Sequence, residues 1–266
     1  MEMSISYQRK IFTPHRIPPL LPQKLTKLLI FPSNYNYFRN PRMKRKLKFI
    51  FLYFGIFLFT LWGAFQLFFW IDTQEEKKQV IKDTYLERLS PSQEKLLQEG
   101  DIILRRGYGF FSDIIAQRLN DDTFDVTHSG ILYRKNNQWW VIHSLSSDVS
   151  PIDGMQEQPL GTFLKYSTPK KILIVRPKHI TPTEGKEVVK KALYYLHQKI
   201  PFDHIGTIDD PSALYCSELI YQILDNDLHL ISFPTEKKER KDTFYTMKTL
   251  YDPSFFEIII NTYPEK

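Results

Sequence analysis

"THSGILYRKNNQWWVIHSL", residues 127–145, reads as two apolar strands joined by a polar turn. "RKNNQ" is hairpin turn chemistry, and the runs on either side are rich in Ile, Val, Tyr and Trp. A loop of two or four residues centred on Asn136 and Asn137 pairs Gly130 with His143, and His128 with Leu145. Side chains alternate along a strand, so His128 shares a face with Gly130. His128 and His143 are then diagonal neighbours on one face, roughly 7–8 Å apart at the backbone and within reach of a ring-to-ring hydrogen bond. A loop of three or five residues would break that pairing. A polar ring in a strand needs a reason, and the glycine between the two leaves room beside them.

Working outward, "GDIILRRG" (100–107) and "KKILIVRP" (170–177) are further short apolar strands. "FFSDIIAQRL" (110–119) has helical spacing, with Phe111, Ile114, Ile115 and Leu119 on one face. "TEGKEVVKKALYYLHQK" (183–199) is an amphipathic helix with Thr183 as its expected N-cap and Glu187 in its first turn. The mixture is α+β.

"YCSELIYQIL", residues 215–224, holds Cys216, the one cysteine in 266 residues. With no second thiol there is no intrachain disulfide. Leu219, Ile220, Ile223 and Leu224 form an apolar stripe at helical spacing, and Pro211 and Ser212 break the chain upstream. Cys216 is therefore expected at a helix start, where the thiol pKa is lowered and the thiolate becomes a nucleophile. A second device for lowering it is a nearby histidine. Of the seven histidines, His179, His197, His204 and His229 lie in polar surroundings. His15 precedes the apolar run described next. That leaves His128 and His143.

"FIFLYFGIFLFTLWGAFQLFFWI", Phe49–Ile71, carries no charge in 23 residues. As a helix it would span roughly 30 Å of hydrocarbon. It is apolar on every face, unlike a core helix, and longer than a signal-peptide core. Arg39, Arg42, Lys44, Arg45, Lys46 and Lys48 precede it, and mixed charges follow. The positive-inside rule puts residues 1–48 in the cytoplasm and the rest outside, as a single-pass inner (cytoplasmic) membrane protein whose larger part is extracytoplasmic, or periplasmic where an outer membrane exists. Residues 1–48 hold eleven Lys and Arg against one acid, whereas the remainder has a net charge of −4. The overall +6 thus belongs to the membrane flank, which argues against a nucleic-acid partner. Residues 1–42 have the composition of disorder, and "MKRKLKFIFLYF" from Met43 reads as a natural start. Residues 72–99 read as a helical stalk, and 100–266 as the globular domain.

"GDIILRRG", "THSGILY", "VIHSL" and "YCSELIYQ" together resemble the circularly permuted papain-like amidases of the NlpC superfamily, the YaeF/YiiX-like group. The resemblance runs from about Gly100 to Leu224, with the histidine strand first and the cysteine helix last, the reverse of papain. It implies a permuted papain-like domain following a single transmembrane helix, and a cysteine amidase or peptidase that works through an acyl-enzyme. In that family Cys216 would be the nucleophile, His128 the base and His143 the third member, a place where other members often carry a carboxylate or amide. The Cys216 N–H is the expected oxyanion donor, with Tyr108 or Tyr215 as candidates for the second. Asp203, Asp209 and Asp210 border the loop before the cysteine.

Three other readings compete. A permuted group similar to lecithin:retinol acyltransferase has the same order and acts on lipids, but its cysteine motif usually reads N-C-E-H-F. A catalytically dead envelope-binding module is the second. A zinc site of Cys216 with two histidines is the third, without C-x-x-C or H-E-x-x-H spacing to support it. No cofactor or metal is expected. The expected partners are the membrane and an envelope substrate, either a peptide such as a peptidoglycan stem or a lipid.

Overall fold

The computed structural model describes residues 41–206, 210–233, 240–241 and 244–265. The basic segment before residue 41, with His15, and Asp209 in the loop before Cys216 lie outside them. The chain divides into two compact units, Met1–Ala64 and Phe65–Lys266. Helix α1, Pro41–Asp83, begins in the first and ends in the second. Its apolar run is exposed almost throughout.

The second unit is built on a six-stranded antiparallel sheet of order β4-β3-β2-β1-β5-β8. Its strands are β1 (Ile102–Arg105), β2 (His128–Lys135), β3 (Gln138–Leu145), β4 (Gly154–Pro159), β5 (Ile172–Pro177) and β8 (Phe256–Asn261). Strands β6 (Arg240–Lys241) and β7 (Phe244–Tyr245) form a separate pair. The helices are α2 (Pro91–Glu94), α3 (Gly109–Arg118), α4 (Leu160–Lys165), α5 (Pro182–His197) and α6 (Cys216–Tyr221), the last running on into a π-helical segment, Gln222–Asp227.

Alternation along the strands sorts the core into two layers. Ile102, Leu104, Ile131, Ile142 and Val175 point to the face covered by α5 and α6, against Val188, Ala192, Leu219 and Ile220. Ile103, Leu132, Val141, Ile172 and Ile174 point to the other face, against Leu89, Leu97 and the α4 residues Leu160 and Phe163. All of these residues are buried. Burial of such side chains stabilises by roughly 1.5–3 kcal/mol each before chain entropy is counted.

The β2–β3 connection is the two-residue loop expected, with Asn136 and Asn137 at φ 53° and 62°. Positive φ at both central positions matches the right-handed strand twist, and Asn tolerates it. Lys135 pairs with Gln138 and Ile131 with Ile142, which puts Gly130 level with His143. Gly100, at φ 89°, crosses α5 so closely that a Cβ would lie 2.6 Å from the Gly185 carbonyl oxygen.

Two local expectations are corrected. Helix α5 starts two residues earlier, capped by Thr181 in a reciprocal box with Glu184, with Pro182 in the first turn. Helix α3 buries no residue. Its Phe110 and Phe111 pack instead on Phe68 and Phe69 at ring distances of 5.1 and 5.4 Å, leaving that face partly in solvent.

Candidate active site

The strands that carry the two histidines separate at one end. The β2–β3 ladder runs from Lys135–Gln138 to Ile131–Ile142. Beyond it, His128, Ser129 and Gly130 pair with β1, while His143, Ser144 and Leu145 pair with β4. His128 and His143 therefore stand on opposite lips of a split in the sheet. Their rings bridge it, with His128 Nε2 2.9 Å from His143 Nδ1 and the ring planes at 81°. Gly130 lets β3 pack closely against it: a Cβ there would lie 2.4 Å from Val141 Cγ1 and 3.3 Å from His143 Cβ.

Helix α6 packs on β2 and β3 at this end. The Ser144 hydroxyl donates to the Leu214 carbonyl at 2.6 Å and ties the β3 lip to the chain just before Cys216. The thiol meets the Ser129 backbone N–H and hydroxyl, on the residue next to His128. That hydroxyl is fully buried and has no hydrogen-bond partner of ordinary geometry among the described residues. Its loose approach to sulfur is thus an electrostatic contact more than a formed bond.

Three further side chains, not singled out by sequence, complete the surroundings. Arg105, opposite His128 in the β1–β2 register, is buried and donates to the Tyr166 carbonyl oxygen. Its guanidinium lies 4.6 Å over the Phe163 ring. Phe163 in turn stacks on His128 at 5.6 Å and meets His143 edge-on at 5.4 Å. Gln158, on β4, brings its side-chain amide nitrogen to 3.0 Å from His143 Nε2.

Burial sets the protonation states. It holds His128 well below the ordinary 6.5, with the Arg105 charge and then His143 adding to it. His143 is held at about 3, by burial first and Arg105 second. Arg105 itself is lowered to about 10 by desolvation, against the pull of Glu76 and Cys216. The thiol corrects an expectation. A helix start should lower it, yet burial pushes Cys216 above its usual value, and Ser129, the Ser217 N–H and Arg105 offset only part of that. At neutral pH the rings and the thiol are all uncharged, and Arg105 is the cation beside them.

The other sequence candidates are engaged elsewhere. The Tyr108 hydroxyl donates to Asp83 at 2.8 Å, and the Tyr215 hydroxyl accepts from the Tyr245 N–H at 2.8 Å. The Asp203 carboxylate accepts from the Ile205 and Gly206 N–H groups, and exposed Asp210 accepts from the Ser212 N–H, so both shape the loop. Asp125 is paired with Lys171 and Arg106. His204 lies 3.0 Å from Asp153. Two surface clefts, one beside Trp139 and Pro159 and one beside Tyr108 and Asp113, are not lined by Cys216, His128 or His143. Among the described residues no group of three or more His, Cys, Asp or Glu is arranged to hold a metal ion.

Comparison with known proteins follows the same residues. No curated protein matches the chain. The crystal structure of the metalloprotein yiiX from Escherichia coli O157:H7 is similar at 17% identity, over 63% of this chain and 98% of that one, with a TM-score of 0.47. Residues 96–250, more than half of the chain, match a family of permuted papain-like amidase enzymes and take in the histidine hairpin, Arg105, Gln158 and the cysteine helix. The chain belongs to that family, the permuted papain-like amidases of the YaeF/YiiX, C92 group.

Proposed function

We propose that this cysteine hydrolase cleaves an amide of the cell envelope through Cys216, His128 and His143, from a domain held at the membrane by Phe49–Ile71. The observation that carries the reading is the 2.9 Å bond between His128 and His143, with the Cys216 thiol against Ser129, the residue next to His128.

The chemistry follows from neutral resting groups. His128 takes the thiol proton as sulfur attacks the carbonyl carbon, so the charges separate only when the bond forms. The Cys216 N–H, at the start of α6, is the donor nearest the developing oxyanion. His128 then returns the proton to the leaving amine, and an acyl group remains on sulfur. Water attacks next. His128 accepts its proton, the acid departs, and the thiol is restored with that proton. His143 holds the ring of His128 in place throughout. Arg105 disfavours charge on both rings and favours the thiolate, which lowers the cost of the charge-separated state on the sulfur side.

The anchor is supported by composition: α1 contains an 18-residue window of mean hydropathy 1.8, none of it buried. The basic flank supports an inside N-terminus and an extracytoplasmic enzyme. One observation favours a second substrate class. Phe110 and Phe111 are partly exposed against Phe68 and Phe69, near the end of the apolar run, and such a surface suits a lipid acyl group. The mass of the group carried by sulfur separates a peptide from a fatty acyl chain.

The test is the rate at which iodoacetamide alkylates Cys216 in the full chain. His128→Ala should slow it by on the order of 10²-fold. An unchanged rate would reject His128 as the base.

A further inference from the structure

The contact between Gln158 and His143 governs a choice that the two rings cannot make alone. A neutral imidazole has one N–H donor and one bare acceptor nitrogen. The hydrogen bond between His128 Nε2 and His143 Nδ1 can therefore run in either direction. When Gln158 presents its NH₂ group, His143 Nε2 must be the bare acceptor. The His143 proton is then on Nδ1 and is donated to His128 Nε2. His128 must carry its own proton on Nδ1, and neither of its nitrogens is open to the thiol. When Gln158 presents its carbonyl oxygen instead, each step reverses. His143 donates from Nε2 and accepts at Nδ1, His128 donates from Nε2, and its Nδ1 is bare.

The amide nitrogen faces the ring in this structure, the direction in which His128 is not a base. We propose that Gln158 is a positioning residue for the reaction, and that rotation of its side-chain amide switches the histidine chain between a resting direction and one in which His128 accepts the Cys216 proton. The proposal rests on the reading of Cys216 and His128 given above.

Strand register makes the arrangement specific. Val141 pairs with Gln158 and His143 with Gln156, so Gln158 lies on the histidine face, one diagonal step from His143. Its neighbour Glu157 points to the opposite face, where it binds Tyr133 and Lys135. The groups that surround the pair are Arg105 from β1 and the uncharged ring of Phe163 from α4, while the Cys216 thiol meets Ser129, the residue next to His128. No carboxylate is among them. An amide is the side chain that can both donate to and accept from a neutral ring without adding charge. Its two ends are nearly the same shape, so turning it over needs no repacking of the strand.

The experiment uses the full chain in detergent, with ¹⁵N-labelled histidine, and reads two quantities. Imidazole ¹⁵N shifts report which nitrogen of each ring carries the proton, with signals assigned through His128→Asn and His143→Asn. The iodoacetamide rate reports how readily Cys216 loses its proton. Gln158→Glu can only accept, so it should place the His128 proton on Nε2 and hold the alkylation rate at or above wild type. Gln158→Met can do neither, and should lower the rate about 10-fold or more while mixing the tautomers. Wild-type rates and tautomers in both variants, with His128→Ala still slow, would overturn this inference alone. A wild-type rate in His128→Ala would overturn the underlying reading instead.

Discussion

His128 and His143 belong to adjacent strands but are joined through their rings, Nε2 to Nδ1 at 2.9 Å, where the ladder between those strands has already ended. The ring contact replaces the next rung of the sheet. Removing the His143 ring should leave His128 free to turn. His143→Ala should reduce the iodoacetamide rate on the order of 10²-fold, whereas His143→Asn, which keeps an acceptor, should retain most of it. Equal rates for Ala and wild type would make His143 a strand residue only.

The same burial predicts a pH dependence of stability. Both rings bind protons more weakly in the folded chain than in the unfolded one. Below about pH 6.5 the unfolded chain therefore takes up more protons, so stability falls as pH falls, by about 1.4 kcal/mol per pH unit for each ring. For His143 that loss continues towards its folded value of about 3. Urea unfolding of His143→Asn between pH 6 and 4 should show a shallower slope than wild type. Identical slopes would mean that the ring is hydrated in the folded protein.

Arg105 supplies a separate handle. Its charge lowers both histidines and the thiol. Arg105→Met should move the acid limb of the alkylation profile to higher pH and slow alkylation on its plateau. Arg105→Lys keeps the charge and should move the limb less. A limb that stays in place in Arg105→Met would show that burial alone keeps the rings neutral.

Among the described residues the Ser129 hydroxyl meets the Cys216 thiol and has no hydrogen-bond partner of ordinary geometry. Ser129→Ala should change the unfolding free energy by less than about 1 kcal/mol. It should nevertheless raise the thiol pKa, because a donor to the thiolate is lost. Differential labelling across pH would reveal that shift, and an unmoved profile would leave the backbone N–H as the sole Ser129 contribution.

The part of this site on the hairpin was legible in the sequence because Asn136–Asn137 admits a two-residue loop and so fixes the register that puts the two histidines together. The apolar stripe Leu219, Ile220, Ile223 and Leu224 likewise located the cysteine helix. Gln158 was not legible. "GMQEQP" has neither alternation nor β-branched residues, and it is a strand because Trp140–Leu145 of β3 offer their edge to it. Arg105 looked like the polar end of a strand, since nothing local shows that Phe163 and Tyr166 close over it. The sign of the thiol shift was missed for a similar reason. A helix start is visible in sequence, whereas the depth of burial that outweighs it is a tertiary property.

The most direct test of the central claim is intact-mass analysis of the full chain after incubation with cell-envelope extract and acid quenching. The account predicts an acyl adduct that maps to Cys216, is released by hydroxylamine, and is absent from Cys216→Ala, a variant that should keep its fold and lose turnover. Turnover of the same extract by Cys216→Ala at the wild-type rate would contradict it.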